Sequence, residues 1–289
     1  MTDVETGGGR PLPIPVITGA GPLILAFLRR DWKIAISYKL DFATQLVTTV
    51  LSLSFVYFLG RLVGSTQSLH IGRYRALHLG YFPFAVIGIG LLGLVSTELQ
   101  AVSGQIRADQ TTGTLEALLA MPPPAWLTVL GSVSYQLAYA AAAAALTVVF
   151  AVVGFGMRFD TTLASGAMAA AGAAVSLALF LSFGVGFASA VVVFKRGGQV
   201  AGFVITGFSL LGGVYYPTSL LGSPLRYVSD VLPFTWALNV IRAGLLERQV
   251  EWTQFGLLTV ASVVCVPVSL AVFNWSVTRA RRAGTLGQY

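Results

Sequence analysis

The sequence predicts an all-α, polytopic membrane protein with six transmembrane helices. Hydrophobic residues make up 55% of the chain and charged residues only 10%, whereas a soluble domain carries about 25% charged residues. The apolar residues form long runs, which leave no stretch of chain for a separate soluble domain. We therefore expect one membrane domain over residues 22–282, preceded by a flexible cytoplasmic segment at 1–21 and followed by a cytoplasmic tail at 283–289.

The six predicted spans are apolar runs of near-membrane length. A hydrocarbon core about 30 Å thick requires roughly 20 mostly apolar residues in a helix, because unpaired backbone amides are costly in lipid. The runs that approach this length are 42–62, 79–99, 127–155, 163–194, 200–216 and 255–277. The fifth run is short and rich in glycine, so it is the least typical of a straight span.

The cations orient these spans. An even number of spans places both termini on one side, and Lys and Arg mark the cytoplasmic side. Seven cations fall on the side away from the termini: Arg61, Arg73, Arg75, Arg158, Arg226, Arg242 and Arg248. Eleven fall on the side of the termini: Arg10, Arg29, Arg30, Lys33, Lys39, Arg107, Lys195, Arg196, Arg279, Arg281 and Arg282. This bias predicts a multi-pass protein of the cell membrane with both termini cytoplasmic. Because the cations lie at the ends of apolar runs, we expect membrane lipids and no nucleic acid as their partners.

An interfacial helix is predicted before the first span, over residues 22–39. Pro22 suits the first turn of a helix. Arg29, Arg30 and Lys33 share one arc of this helix, and apolar residues cover most of the remainder, a pattern typical of a helix that lies in the membrane surface. The sequence leaves two roles open, a general membrane anchor and a contact with a cytoplasmic partner.

Small residues are dense in the third and fourth spans. They form the run 140–145 and a ridge of Gly166, Ala170 and Ala174, together with Gly172 and Ser176, at four-residue spacing. Such ridges let helix backbones approach closely. We favour packing within one subunit over a dimer interface for this ridge.

A short helix is predicted in the cytoplasmic loop 106–126. Thr111 or Thr112 would cap it at its N-terminus, and three consecutive prolines at 122–124 would end it, because proline lacks an amide hydrogen and clashes with the preceding turn. The expected result is a rigid helix close to the membrane surface.

A re-entrant hairpin is predicted in the outer connection, residues 217–253. Its part from 231 to 246 is apolar but too short to cross the membrane. We therefore expect it to enter the outer leaflet and return, with its irregular backbone placed against protein or a wet cavity. Arg242 within it would either contact an anionic lipid headgroup or extend to the interface.

Two motifs give these segments a family resemblance. The cytoplasmic loop reads D-x-x-x-G-T-L-E-x-L-L-x-x-P, and the outer connection reads Y-P-x-S-x-L followed by P-x-x-W-x-L-x-x-x-R. Over residues 22–282 the chain resembles the membrane subunit of type-2 ABC exporters, a family that includes permeases for drugs, lipid-linked polysaccharides, teichoic acid and nodulation factors. The triple proline and the outer loop that carries His70 and His78 depart from the family pattern and leave the substrate open.

The resemblance implies two functional regions. The coupling helix, which docks into the ATPase subunit, would comprise Asp109, Gly113, Thr114, Leu115, Glu116, Leu118, Leu119 and Pro122. The outer re-entrant gate would comprise Tyr216, Pro217, Ser219, Pro233 and Arg242. The resemblance also implies a separate ABC ATPase subunit, which would hold ATP and Mg, and a second copy of the permease or a paralogue in a dimer.

The chain itself shows no enzymatic pattern. It lacks the G-x-x-x-x-G-K-[ST] phosphate loop, so we expect ATP hydrolysis in a partner. Its serines have no histidine or acid in a recognisable catalytic arrangement. Two histidines and the single Cys265 make a poor metal site. We therefore predict no catalytic, cofactor-binding or metal-binding residues in this chain.

Two other functions stay open, a gradient-driven secondary transporter and a non-transporting membrane scaffold. Secondary transporters usually carry acidic residues inside their spans, because an intramembrane charge is expensive and serves a function. In this sequence Asp41 and Glu98 fall at the ends of the predicted spans, which argues against ion coupling. By the resemblance, an exported substrate would be amphipathic, drug-like or lipid-linked.

Overall fold

The regular structure in the described part of the chain is helical. The computed structural model describes residues 20–37, 39–64, 80–114, 125–194 and 198–283, and the structural statements below refer to them. Their helices are α1 (Ala20–Ser37), α2 (Lys39–Gly64), α3 (Tyr81–Thr111), α4 (Ala125–Phe155), α5 (Leu163–Phe194), α6 (Gly198–Leu211), α7 (Ser223–Val231), α8 (Pro233–Leu246) and α9 (Trp252–Ala283), with a 3₁₀ turn at Thr218–Leu220. The all-α fold class is confirmed.

Four of these helices contain stretches that are long and apolar enough to cross a membrane: Tyr81–Thr111, Trp126–Phe155, Leu163–Val191 and Trp252–Ala280. In α2 and α6 the apolar stretches are shorter, Leu46–Leu62 and Val200–Leu211. The 14 residues of α6 extend only about 21 Å, less than the hydrocarbon core. The count of six spans therefore stays a prediction.

The fifth predicted run ends early as a helix. It was expected to reach residue 216, but α6 stops at Leu211. Gly213 follows with a φ of 78°, a left-handed conformation that glycine adopts without steric cost and that commonly ends helices. The remaining residues of the run form a turn.

The helix that contains the second predicted span is longer than the apolar run, and the predicted loop starts too early. Hydropathy placed the end of this span at residue 99, whereas α3 continues to Thr111 and is about 46 Å long. Residues 100–110 are polar on average, but they contain no proline and include several good helix formers. Residues 106–111, expected in the loop, therefore belong to α3.

Helix α3 lies at the centre of the bundle, with α2, α4, α5, α6 and α8 packed around it. Its antiparallel arrangement with α4 follows from two contacts. The rings of Phe82 and Phe155 lie 5.5 Å apart between centroids, and the side-chain amides of Gln105 and Gln136 lie 3.4 Å apart. The start of α3 therefore faces the end of α4, and the end of α3 faces the start of α4.

Two separate hydrophobic clusters form the core. The first core cluster includes α3 residues up to Leu99 and joins them to α5, α6 and α8. The second core cluster begins at Val102 of α3 and joins it to α4, α5 and the second half of α9. The apolar core is thus interrupted along α3 between Leu99 and Val102.

Helix α8 packs closely against small residues of α5. A Cβ atom on Gly172 would lie 2.6 Å from Val240, and one on Gly244 would lie 2.8 Å from Ala169, so glycine is required for this close packing. Ala170 and Ala174, from the predicted ridge, are exposed. Gly172 and Ser176 of the same ridge are buried, so this part of the ridge packs within the subunit.

Helix α1 packs against α4. Phe27 is 7% exposed, and a Cβ atom on Gly131 of α4 would lie 2.7 Å from its ring. Arg29, Arg30 and Lys33 are exposed, so the cationic arc faces away from this contact. The location of α1 in a membrane surface stays a prediction.

Candidate functional site

The last turn of α3 contains the start of the predicted coupling motif. Gly113 has a φ of 71°, its amide donates to the carbonyl of Gln110, and the amide of Thr114 donates to the carbonyl of Asp109 at 2.9 Å. This pair of hydrogen bonds is the Schellman motif, which ends helices at a left-handed glycine. The D-x-x-x-G-T portion of the motif therefore encodes a helix stop. We call Asp109, Gly113 and Thr114 the Asp109 cap.

Side chains reinforce the Asp109 cap. Gln105 Nε2 donates to Asp109 Oδ1 at 3.0 Å, and the Thr114 hydroxyl donates to the same carboxylate at 3.4 Å. The Arg30 guanidinium of α1 interacts electrostatically with the Asp109 carboxylate. The cap thus connects the end of α3 to the N-terminal helix, and Arg30, predicted for the interfacial arc, takes part in this connection.

The threonines before the glycine cap α3 and not a following helix. The hydroxyls of Thr111 and Thr112 both donate to the carbonyl of Ala108 at 2.9 Å. Thr111 is the last residue of α3, and Thr112 follows it in an α-helical conformation. The prediction that either one is an N-cap is wrong, because an N-cap residue has a non-helical backbone and its C=O accepts the first hydrogen bond of the helix that follows. The remaining coupling residues lie outside the described part of the chain: Leu115, Glu116, Leu118, Leu119 and Pro122.

At the other end of α3, Arg242 is buried among backbone carbonyls. Its Nη1 donates to Gly213 at 2.8 Å, and its Nη2 donates to Phe84 at 2.8 Å and to Val214 at 3.1 Å. The Cζ atom lies 3.5 Å from the centroid of the Phe84 ring. Only 1% of the residue is exposed. We call Arg242 and its three carbonyl partners the Arg242 clamp.

Helix electrostatics favours this position of the charge. The carbonyls of Gly213 and Val214 follow directly after the C-terminus of α6, which carries partial negative charge. Hydrogen bonds from a guanidinium are roughly twice as strong as neutral ones. The clamp thereby joins α8, the turn after α6 and the first turn of α3. Both predicted roles of Arg242, the contact with a lipid headgroup and the extension to the interface, require an exposed guanidinium, and the structure contradicts them.

The other predicted gate residues lie around the same turn or begin the next elements. The Tyr216 hydroxyl donates to the carbonyl of Leu210, so Tyr216 and Arg242 together fix the turn between residues 210 and 216. Pro217 precedes the 3₁₀ turn, and Pro233 begins α8, where its missing N–H group has no cost. The Ser219 hydroxyl is buried without a hydrogen-bond partner in the described residues.

Sequence reasoning missed several residues that shape this end of the bundle. A Cβ atom on Gly88 would lie 2.5 Å from the Val214 carbonyl and 2.7 Å from Arg242 Nη2. The rings of Phe208 and Phe234 stack at 5.1 Å, and Phe180 meets both edge-on. Glycine weakens a helix interior, so its position in an apolar span was a signal of close backbone approach. The aromatic cluster gave no comparable local signal.

The C-terminus of α8 is also fixed. The Arg248 side chain forms an ion pair with Asp160, and the Thr161 hydroxyl donates to the carbonyl of Gly244 at 2.9 Å. The amide of Arg248 donates to the carbonyl of Asp160 at 3.2 Å. These bonds attach the end of α8 to the connection between α4 and α5.

Midway along α3, Glu98 is buried without such partners. It is 1% exposed, and its Oε2 atom accepts no hydrogen bond from the described residues. Glu98 is not at a helix end, since α3 continues to Thr111; its position at the end of a span stays a prediction. The argument against ion coupling rests on that prediction, and the burial of Glu98 in the bundle weakens it.

The described residues contain no group of three or more His, Cys, Asp and Glu side chains that could hold a metal ion. His70 and His78 lie outside them. Cys265 is a free, half-buried thiol.

Comparison with models of protein families identifies the family of the chain. A family model described as ABC-2 type transporter matches residues 22–246, which is more than three quarters of the 289-residue chain. The matched range contains both motifs and extends from α1 to the end of α8. None of the curated proteins matches the chain.

Proposed function

The chain belongs to the ABC-2 type transporter family, and from this premise we propose that it is the permease subunit of an ABC exporter. Family membership makes it a multi-pass membrane subunit of an ABC transporter. In our proposal it moves an amphipathic, drug-like or lipid-linked substrate out of the cytoplasm. The energy comes from ATP that a separate nucleotide-binding subunit hydrolyses, with ATP and Mg bound on that subunit.

The single observation that carries the proposal is the continuity of α3 from the Arg242 clamp to the Asp109 cap. One 31-residue helix joins the predicted gate to the predicted coupling motif. The Asp109 cap ends this helix at a fixed residue, because Gly113 and Thr114 make both hydrogen bonds of the Schellman motif. A displacement of the following segment by an ATPase would therefore be transmitted to α3 and not absorbed by a flexible joint.

The gate of the proposal is the segment that follows α6. In the exporter it lies on the outer side as a re-entrant hairpin, with both termini of the chain cytoplasmic. Burial of Arg242 supports this role, because the clamp holds α8 and the turn after α6 against α3. Opening the pathway would require these groups to move together or the clamp to break.

A second copy of the chain, or a paralogue, completes the proposed exporter. Two six-helix units would meet at a two-fold axis. Helix α2 supports such a contact, because it exposes an apolar stripe along one face: Val47, Leu51, Phe55, Phe58 and Leu62. In a membrane this stripe is available to a partner helix or to lipid.

Transport by inside-out membrane vesicles tests the proposal. Vesicles from cells that produce the chain with its native ATPase should accumulate a fluorescent amphipathic dye when ATP is added. The Glu116→Ala variant should insert normally but lose ATP-driven uptake, because Glu116 lies in the motif predicted to contact the ATPase. Glu247→Ala, which removes a carboxylate after α8, serves as the control and should retain uptake. Unchanged uptake and unchanged ATPase binding in Glu116→Ala would contradict the coupling role.

The buried Glu98 favours one alternative, a gradient-driven transporter, because ionisable groups inside spans often bind coupling ions. The same vesicles distinguish the two functions. Uptake driven by a proton or sodium gradient, in vesicles that lack the ATPase, would replace the exporter proposal by the alternative. Uptake that requires both ATP and the ATPase would support the exporter.

A further inference from the structure

We propose that Glu98 is the charge-recognition residue of the translocation pathway and that the permease accepts amphipathic substrates carrying one positive charge. This inference rests on the proposed permease function and specifies its substrate class. It starts from the state of the Glu98 side chain in the described structure.

Glu98 differs from Asp109, Asp160 and Asp230 by its surroundings. Asp160 and Asp230 form ion pairs with Arg248 and Arg226. Asp109 accepts a hydrogen bond from Gln105. Glu98 is 1% exposed, and its Oε2 atom has no hydrogen-bond partner in the described residues. A buried carboxyl oxygen without a partner destabilises the state that contains it, so this site is incomplete in the described structure.

Glu98 lies directly before Leu99, close to the boundary between the two apolar clusters on α3. The first core cluster ends on α3 at Leu99, and the second begins at Val102. On α5 the corresponding interval runs from Phe180 of the first cluster to Val185 of the second. Gly184 lies within it, and a Cβ atom there would be only 2.3 Å from the Glu98 carbonyl oxygen. The backbones of α3 and α5 therefore touch at the level of Glu98.

Helix α4 presents small side chains near this level. Helices α3 and α4 are antiparallel, and Gln105 meets Gln136. Glu98 precedes Gln105 by seven residues, and the residue seven positions after Gln136 is Ala143, within the alanine run at 140–145. Equal rise along the two helices thus places Glu98 close to the level of that run. Small side chains leave room for a ligand when the helices separate.

The chemistry of the carboxylate determines the ligand. Acidic residues inside spans mark pathways for ions and substrates, and a buried charge becomes favourable when an opposite charge compensates it. The apolar clusters on both sides of Glu98 would contact hydrophobic groups of the same ligand. An amphipathic monovalent cation satisfies both requirements. An anionic substrate would meet a like charge in the same place.

Binding of two isosteric ions of opposite charge tests the proposal. Radiolabelled tetraphenylphosphonium and tetraphenylborate are equilibrated with the full-length chain in lipid nanodiscs, and binding to empty nanodiscs is subtracted. We expect saturable binding of the cation but not of the anion. Glu98→Gln should weaken cation binding at least tenfold, and Glu98→Asp should retain it within about threefold, which corresponds to about 0.65 kcal/mol. Glu251→Gln, which removes an acid just before α9, should bind like the wild-type protein.

Three results would overturn the proposal: no saturable cation binding by the wild-type chain, equal binding of the anion, or unchanged cation binding in Glu98→Gln. If the Glu98 variants do not insert, carbodiimide labelling of the wild-type protein replaces them. Tetraphenylphosphonium should slow the modification of Glu98 at least fivefold, and labelling at an unchanged rate would contradict the proposal. The assay contains no ATPase, so its failure would leave the exporter proposal standing. Loss of ATP-driven uptake in the vesicle assay would refute the exporter without changing the binding result.

Discussion

The two ends of α3 and its midpoint differ in whether their polar groups have hydrogen-bond partners. At one end the Arg242 guanidinium donates to three backbone carbonyls, and at the other the Asp109 cap satisfies the helix terminus. At the midpoint, Glu98 Oε2 has no hydrogen-bond partner in the described residues. Arg242 and Glu98 are equally buried, at 1% exposure, so burial alone does not separate them. The two residues differ in their hydrogen-bond partners. In our proposal this difference separates a charge that stabilises the fold from a charge that binds a ligand.

The largest expected effect is at the Arg242 clamp. Arg242→Ala should destabilise the protein by about 3 to 5 kcal/mol, because it leaves buried carbonyls without their charged donor. Thermal unfolding of the purified protein in detergent measures the effect. Arg226→Ala is the control, since Arg226 is exposed and pairs with Asp230 at 3.9 Å, and should change stability by less than about 0.5 kcal/mol. Similar unfolding temperatures for both variants would show that the Arg242 clamp stabilises the fold no more than an exposed ion pair does.

The next effect concerns the contact of α5 with the midpoint of α3. Gly184→Ala places a methyl group against the Glu98 carbonyl, and overpacking of this kind costs about 1 to 3 kcal/mol. Gly186→Ala, on the same helix, meets nothing within 4 Å and should be neutral or slightly stabilising. Chemical denaturation followed by tryptophan fluorescence compares the two. Equal stability of both variants would mean that α3 and α5 do not touch at Glu98.

A smaller effect is expected at the Asp109 cap. Gly113→Ala forces a side chain into the left-handed conformation at a φ of 71°, which costs about 1 kcal/mol. Gly104→Ala, in the interior of α3 with open space around it, should instead stabilise the helix by about 0.5 to 1 kcal/mol. Hydrogen exchange at the amides of residues 105–114 should increase in the first variant and not in the second. Increased exchange in both would contradict the cap.

The smallest effect has the opposite sign. Glu98→Met replaces the carboxyl by an apolar group of similar length, and removing an uncompensated buried polar group should stabilise the protein by up to about 1 kcal/mol. The unfolding temperature in detergent should therefore rise slightly, while ATP-driven uptake of a cationic dye should fall. A loss of stability as large as that of Arg242→Ala would show that Glu98 serves the fold, and the contrast between midpoint and ends would disappear.

Local patterns allowed prediction of the helices and of part of the coupling motif. Apolar runs predicted α3, α4, α5 and α9, because a lipid-facing helix needs a continuous apolar surface. The left-handed glycine of the Asp109 cap also had a local signal, the sequence D-x-x-x-G-T. If the preceding helix ends with its apolar run at residue 99, however, the same sequence predicts that Thr111 or Thr112 begins a new helix. Hydropathy detects the membrane boundary, whereas a helix ends where its hydrogen bonds are capped.

The Arg242 clamp could not be predicted, because its partners are distant in sequence. The carbonyl of Phe84 is 158 residues from Arg242, and any residue type can supply a carbonyl. No residue pattern therefore marks this contact. Glu98 was visible as an acid beside an apolar run, but its burial depends on the length of α3 and on its contact with α5 at Gly184. The sequence contains the charge, and only the packing reveals whether it has a partner.

The contact at Gly184 has a mechanical consequence. It meets α3 roughly 25 Å from the helix's first residue and roughly 20 Å from its last, at 1.5 Å per residue. A tilt of α3 about its contact with Gly184 moves the two ends of the helix in opposite directions by nearly equal distances. A push of about 2 Å at Thr111 would displace the Phe84 carbonyl in the reverse direction by a similar distance, which is enough to break a hydrogen bond. The helix would then act as a lever that turns about the level of Glu98.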